Sequence, residues 1–152
     1  MIREITLGEV AVKFKASAAT NILYKRAFRE DITVQLTEYA QKANELKKLQ
    51  AEIASTRSAD LTDEEKLEKI QELMKNKAVV DASAFGTETL PKLAYIMYLE
   101  GNVTVDKIFG QLTEEAYLTW LMDHDMSEIA DNLHDFLDIW TKGAKTTSKA
   151  KN

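Results

Sequence analysis

Only one proline and five isolated glycines interrupt the 152 residues of this chain. So small a supply of turn formers cannot close many tight turns, and the sequence therefore predicts a fold built mainly from long helices. The length is that of one typical domain with room for a continuous core. Hydrophobic residues at 45%, charged residues at 30% and a mean hydropathy of -0.32 describe an ordinary soluble globular protein. The absence of cysteine excludes disulfides, thiolate zinc sites and a cysteine nucleophile, and fits a reducing compartment. No apolar run reaches the length of a signal-peptide core or of a membrane span, so the expected setting is intracellular.

Apolar spacing divides the chain into elements. Ile5 and Leu7 alternate with polar neighbours, Gly8-Glu9 marks a turn, and Val10, Val12 and Phe14 resume the alternation. This predicts a β-hairpin over 1–16 with one buried face. Two strands alone are marginal in water, so the hairpin should pack on helices. Ala16 to Thr20 ends the strand, and Thr20 or Ser17 is a candidate cap for a helix carrying Leu23, Tyr24, Ala27 and Phe28. Asp31 is a second candidate cap, because Ile32, Leu36, Tyr39, Ala43 and Leu46 then recur at steps of four and three, a seam able to take another helix.

A loop is expected from Ser55 to Leu61, then a capping box from Thr62 to Glu65 and a stripe of Leu67, Ile70, Met74 and Ala78. FGTETLP reads as the clearest break in the second half. Pro91 suits the first turn of KLAYIMYLEG, which is apolar nearly all round and so predicts a buried central helix ending before Gly101. After a connector with a short turn at Asp106 to Phe109, Thr113 caps one helix and Ser127 another. The second of these carries Ile129, Ala130, Leu133, Phe136, Leu137 and Trp140 as a stripe and is stopped by Gly143. Trp120 likewise falls on an apolar stripe. The expected fold is mainly α: a single domain over 1–143, with a small N-terminal β-hairpin packed on a bundle of about five to six helices over 17–143. Residues 144–152 are expected to be a disordered basic tail.

Charge is segregated along the chain. Residues 1–29 carry a net +4, whereas 113–141 carry eight carboxylates and no lysine or arginine. Opposite patches of this kind can steer a partner or a second copy, and they also arise simply as solvated helix faces. His124, Glu128, Asp131, His134, Asp135 and Asp138 form the densest set of potential ligands or acid–base groups. They lie opposite the apolar stripe of their helix, which favours a solvated face over a metal-dependent hydrolase. No serine stands in a nucleophile elbow and no glycine-rich loop could cradle a phosphate, so the residues do not describe an enzyme and no cofactor is expected. Lys13, Lys15, Lys25, Arg26 and Arg29 interleave with Phe14, Tyr24 and Phe28 as the one footprint for nucleic acid. The core spacing of Tyr24 and Phe28 and a pI near 5.1 stand against it.

With these residues in place, FKASAATNILYKRAFREDI resembles the opening motif of the siphophage tail assembly chaperones. The positions that carry the likeness are Phe14, Ser17, Ala18, Ala19, Thr20, Leu23, Tyr24, Lys25, Arg26, Phe28, Asp31 and Ile32. LPKLAYIMY, with Leu90, Pro91, Leu93 and Tyr95, and YLTWL, with Trp120, are similar to the family's later helical segments in the same order. The likeness spans residues 1–141, with little that is diagnostic between Gln41 and Val79. Arg29 stands where the family pattern has glycine, and without that glycine the first two helices are expected to run together.

The resemblance implies a non-enzymatic protein of the bacterial host cytoplasm, absent from the mature virion. Such a protein binds the long, coiled-coil-prone tape measure protein, keeps it soluble and helps recruit tail tube subunits. For many members the resemblance also implies a longer form made by ribosomal frameshifting, which here would fall in the Lys-rich tail. The motif residues themselves are expected to be structural.

A chaperone for a helical client needs apolar grooves and complementary charge rather than an active site. The candidate partner surfaces are the seam from Ile32 through Leu36, Tyr39 and Leu46 to Ile53, and the acidic set Glu128, Asp131, Asp135 and Asp138. Intramolecular packing is the competing use of the seam. Unlike patches meeting head to tail would make the protein a homo-oligomer. The rival reading is a small helical phage adaptor or regulator that touches DNA through the basic hairpin and first helix.

Overall fold

The computed structural model describes residues 1–75 and 84–144, the side chains of residues 43 and 44 aside. Strands β1 (Ile2–Leu7) and β2 (Val10–Lys15) form an antiparallel hairpin, followed by helices α1 (Thr20–Phe28), α2 (Ile32–Ser58) and α3 (Asp63–Met74). A π-helical turn (Phe85–Thr89) leads to α4 (Leu90–Asn102) and α5 (Val105–Ile108). A 3-10 turn (Phe109–Gln111), α6 (Glu114–Leu121), α7 (Met126–Ala130) and α8 (Leu133–Gly143) complete the described chain. The fold is mainly α with an N-terminal hairpin, in the class that the scarcity of breakers and the alternation of Ile5 to Phe14 predict. The chain divides into two compact units, Met1–Thr33 with Gly86–Asn152, and Val34–Phe85.

In the first unit the strand register decides which side chains point inward. Pairing of Arg3 with Phe14, Ile5 with Val12 and Leu7 with Val10 puts these six residues on one face. Ile5, Leu7 and Phe14 are buried there, whereas Val10, next to the turn, is exposed. Helices α4 and α8 pack on the hairpin, and Phe14 meets Phe136 of α8 edge-on with ring centroids 5.0 Å apart. Two glycines permit this approach. A Cβ on Gly101 would lie 2.8 Å from the Lys13 carbonyl oxygen, and one on Gly143 would run into the carbonyl of Ala16. Backbones thus touch where any side chain would hold them apart.

Helix α4 is the centre of this unit and also packs on α1, α5, α6 and α7. Its Leu90, Leu93, Ile96, Met97 and Leu99 are all at most 2% exposed, and each such side chain contributes roughly 1.5–3 kcal/mol by leaving water. A helix surrounded on all sides must be apolar all round, which is what KLAYIMYLEG encodes.

The second unit is built on α2, whose 27 residues extend about 40 Å. Leu36 and Leu49 are buried, while Tyr39, Leu46 and Ile53 are half-buried. Tyr39 stacks on Phe85 with centroids 4.1 Å apart. Half of the expected capping box forms: the Thr62 hydroxyl accepts from the Glu65 N–H at 3.2 Å, while the Glu65 carboxylate accepts from that hydroxyl at 2.9 Å rather than from the backbone N–H of Thr62. Asp63, Glu64 and Glu65 then fill the first turn of α3, where carboxylates favour the helix dipole. No residue of α3 is buried.

Several boundaries differ from the sequence reading, each for a local reason. Helices α1 and α2 do not run together, because Arg29 itself adopts the left-handed conformation at φ 61° and ψ 24°. Its N–H still closes on the Lys25 carbonyl at 2.8 Å, and Asp31 then accepts from the Thr33 N–H at 2.9 Å as the cap of α2. α1 has no side-chain cap, since the hydroxyls of Ser17 and Thr20 are directed elsewhere. α2 continues through Ser58 instead of yielding to a loop at Ser55. Thr56 and Ser58 bond their hydroxyls back to the carbonyls of Glu52 and Ala54 and so fit within the helix.

FGTETLP is a π-helical turn rather than a break, and it runs directly into α4. Pro91 sits in the first turn of that helix, where a missing N–H leaves nothing unsatisfied. α4 continues past Gly101 to Asn102. Ser127 is not a cap: Asp125 holds that position for α7, and the helix expected from Ser127 onward divides at Asp131–Asn132. There the Asn132 amide donates to the Glu128 carbonyl at 2.8 Å and competes with the backbone ladder. Gly143 is the last residue of α8, and Ala144 beyond it is buried with its N–H on the Trp140 carbonyl. The remainder of the expected tail, residues 145–152, lies outside the described residues, as do Ala78 of the α3 stripe and the side chain of Ala43 in the seam.

Candidate partner-binding surface

The apolar positions of the opening motif are largely interior, whereas Ala18, Ala19, Lys25, Arg26 and Asp31 are exposed. Phe14, Thr20, Leu23, Tyr24 and Ile32 are buried, as are Leu90, Pro91, Leu93 and Tyr95 of the second segment. Phe28 stands edge-on to Tyr24 at 5.2 Å and to Tyr117 at 5.1 Å. Trp120 is half-buried beside Tyr95, Tyr98 and His124, and Trp140 is buried with its indole N–H on Asn21 at 2.9 Å. Burial pushes the hydroxyls of Tyr95 and Tyr117 up to about 12. At Tyr24 burial, with Glu30 and Tyr117 adding to it, pushes the phenol higher still. All three rings stay protonated at neutral pH, and Tyr95 donates to the Gln111 carbonyl at 2.7 Å. Tyr24 and Phe28 are committed to other rings and do not form a stacking platform for bases.

The strand-to-helix break is pinned by a carboxylate that the sequence reading did not single out. Glu100 of α4 accepts from Ser17 Oγ and Thr20 Oγ1, each at 2.5 Å. Thr20 in turn accepts from the Ser17 N–H, and Ser17 Oγ from the Ala19 N–H. Burial raises the Glu100 pKa, opposed by the two hydroxyls, Lys15 and the Met1 amine. The signal for this role is present in the sequence: a lone carboxylate near the end of an otherwise apolar helix needs an internal partner.

The acidic set is largely matched inside the molecule. Arg3, on the inward face of β1, reaches Asp135 at 2.7 Å and Asp138 at 3.0 Å. Lys142 adds a second contact to Asp138 at 3.1 Å, and His124 Nδ1 lies 3.1 Å from Glu128. Asp131 alone of the four predicted acidic residues is exposed, and no ion pair engages it among the described residues. The Arg3 pairs are more than one-third exposed, so each stabilises by about 0.2–1 kcal/mol at most. Among the described residues no group of three His, Asp or Glu could hold a metal ion.

The basic residues of α1 behave differently. Lys25, Arg26 and Arg29 are exposed, and among the described residues none bonds a carboxylate. Together with Ile22 they line a shallow hollow of about 380 Å³. The Arg26 guanidinium lies 5.3 Å over the ring of Phe109. In the second unit, α3 presents Leu67 and Met74 exposed and Ile70 and Leu73 half-buried on one side.

Among the described residues no helix is long and apolar enough to cross a membrane. In comparisons with protein-family models, curated proteins and solved structures, nothing matches this chain.

Proposed function

We propose that this chain is a phage tail assembly chaperone, a non-enzymatic protein that holds the tape measure protein soluble in the host cytoplasm before assembly. On this reading it also helps to recruit tail tube subunits and is absent from the mature virion. The motif likeness suggests the family, and the observation that carries the binding role is the state of α3. Leu67, Ile70, Leu73 and Met74 recur at helical spacing, yet no residue of α3 is buried. An amphipathic stripe left partly exposed, with Leu67 and Met74 at its open positions, is a surface suited to another amphipathic helix, and a coiled-coil-prone client supplies one. The half-buried positions Tyr39, Leu46 and Ile53 of α2 extend the apolar surface available in the same unit. Self-association through unlike patches belongs to the same proposal, and sedimentation equilibrium tests it: a mass that stays monomeric at every concentration removes it.

The test of the main reading is co-expression with a tape measure protein, the long, coiled-coil-rich client, followed by separation of soluble from aggregated material and pull-down. The client is expected to stay soluble and to travel with this chain, and Leu67→Glu with Met74→Glu is expected to abolish both effects. Equal aggregation of the client with and without the chaperone, also when any longer frameshifted form is supplied, removes the reading.

A further inference from the structure

We propose that the outer face of α1, formed by Ile22, Lys25, Arg26 and Arg29 with Phe109 beside it, docks an acidic amphipathic helix of a partner protein. The inference gives a chemistry to a partner of the proposed chaperone, and it rests on that reading only for which protein carries the helix.

On α1, positions 22, 25 and 26 are spaced i, i+3 and i+4, and Arg29 follows at the C-cap just beyond the helix. This is the pattern by which one helix presents a continuous stripe to another, and here the stripe faces outward. Its composition is unusual for a merely solvated face. Ile22, 62% exposed, lines the hollow together with the three cations, and Phe109, 53% exposed, lies beneath the Arg26 guanidinium. Three cations of this unit are paired, Arg3 with Asp135 and Asp138, Lys92 with Glu30 and Lys142 with Asp138, whereas Lys25, Arg26 and Arg29 line one hollow together and none of them has an ion pair among the described residues. At the end of α1 these like charges repel one another with no ion pair among the described residues, an arrangement that costs stability and that an anionic occupant would relieve.

Arg29 points the same way. It occupies a left-handed backbone position where glycine is the low-energy residue. Strain of this kind is commonly retained where the side chain has work to do, and here the side chain completes the rim of the hollow.

The occupant follows from complementarity. It must bring an apolar side chain to Ile22 and at least two carboxylates, about one helical turn apart, to the cations beside it. Duplex DNA fits less well. The formal net charge of the chain is -5, the nearby rings of Tyr24 and Phe28 are packed against other aromatics, and phosphate has no use for the exposed Ile22 side chain.

The experiment uses the full chain and a set of labelled helical peptides of about four turns, each with a leucine stripe flanked by glutamates in varied register. A matched set carries glutamine in place of glutamate. Binding is expected for the glutamate peptides, weakening with salt, with the glutamine set bound about tenfold less tightly. Lys25→Glu with Arg26→Glu should lower affinity at least about tenfold. Arg29→Gly should also lower it, in a chain at least as stable as the parent, so that loss of binding cannot be loss of fold.

No binding of any glutamate peptide, equal binding of the two sets, affinity unchanged by charge reversal, or tighter binding of a short DNA duplex than of every peptide would each overturn the proposal. The client assay separates the two readings. Peptide binding as expected with a client that aggregates regardless keeps this surface and removes the client reading. A client held soluble while charge reversal leaves peptide affinity untouched does the opposite.

Discussion

Replacing Arg29 by glycine should stabilise the first unit, and the size of the effect can be worked from the backbone. Arg29 is the one non-glycine residue with positive φ among the described residues, at φ 61° and ψ 24°. A left-handed conformation costs an L-residue bearing a Cβ about 1–2 kcal/mol, and glycine escapes that cost. Against this, glycine has more freedom in the unfolded chain, an offset of about 0.4–1 kcal/mol. No ion pair is lost, because Arg29 makes none among the described residues. The bond from its N–H to the Lys25 carbonyl belongs to the backbone and survives. Removing a like charge close to Lys25 and Arg26 adds slightly to the gain.

The net expectation is a stabilisation of about 1 kcal/mol, which for a chain of this length raises Tm by about 2–4 °C. Trp120 and Trp140 lie in the same unit as Arg29, so their fluorescence during urea unfolding reports on the right part of the molecule. Arg29→Ala is the control, since it removes the charge but keeps a Cβ in the left-handed region, and it should stay within about 0.5 kcal/mol of the parent. A glycine variant with an unchanged or lower urea midpoint would refute the reasoning, and so would an alanine variant that gains as much.

Gly143→Ala should destabilise by about 1–3 kcal/mol although alanine is the better helix former by about 1 kcal/mol, because the new methyl meets the backbone of Ala16; a higher urea midpoint would remove the close-contact account. For Glu100, burial raises the folded pKa above an unfolded value near 4.5. Its contribution to stability is therefore fully present below the unfolded pKa and is lost as pH rises through the folded pKa. Glu100→Gln should flatten that part of the pH dependence, and parallel curves of urea midpoint against pH for the two proteins would contradict the assignment. Arg3→Gln should cost no more than about 1 kcal/mol, since its side chain and those of its two carboxylate partners are more than one-third exposed; a loss above about 2 kcal/mol would show that the fork holds α8 to the hairpin more strongly than its exposure implies.

What could be read in the sequence was what depends on residues a few positions apart. The alternation through Ile5, Leu7, Val12 and Phe14, the all-round apolar character of α4, and the caps at Asp31, Thr62 and Thr113 are decided locally. The features that escaped depend on which distant backbone or charge comes near. Gly101 and Gly143 looked like helix ends because glycine often is one, yet here they are helical residues pressed against the end of β2 and Ala16. Arg3 finds its carboxylates more than 130 residues away, and no spacing rule links them. The Arg29 conformation went the other way: the absence of glycine suggested continuity, but the cap of α2 at Asp31 and the burial of Ile32 hold the break open regardless.

The candidate surfaces show the same division, and they change how the charge segregation should be tested. By segment the sequence has a basic and an acidic pole, and the acidic one looked the stronger. Folding pairs part of it, because Arg3 and Lys142 hold Asp135 and Asp138, and His124 hydrogen-bonds Glu128. The basic face of α1 keeps its charges free, since helical phase sends Leu23 and Tyr24 inward and Lys25, Arg26 and Arg29 outward. A variant at Asp135 or Asp138 therefore disturbs the seat of α8 on the hairpin before it touches any partner, and its loss of binding would be ambiguous. Asp131→Asn alters the acidic face without breaking a pair, and Lys25→Glu with Arg26→Glu alters the basic face in the same way. If the first leaves partner binding intact and the second abolishes it, recognition runs through the basic face, despite a formal net charge of -5 for the whole chain.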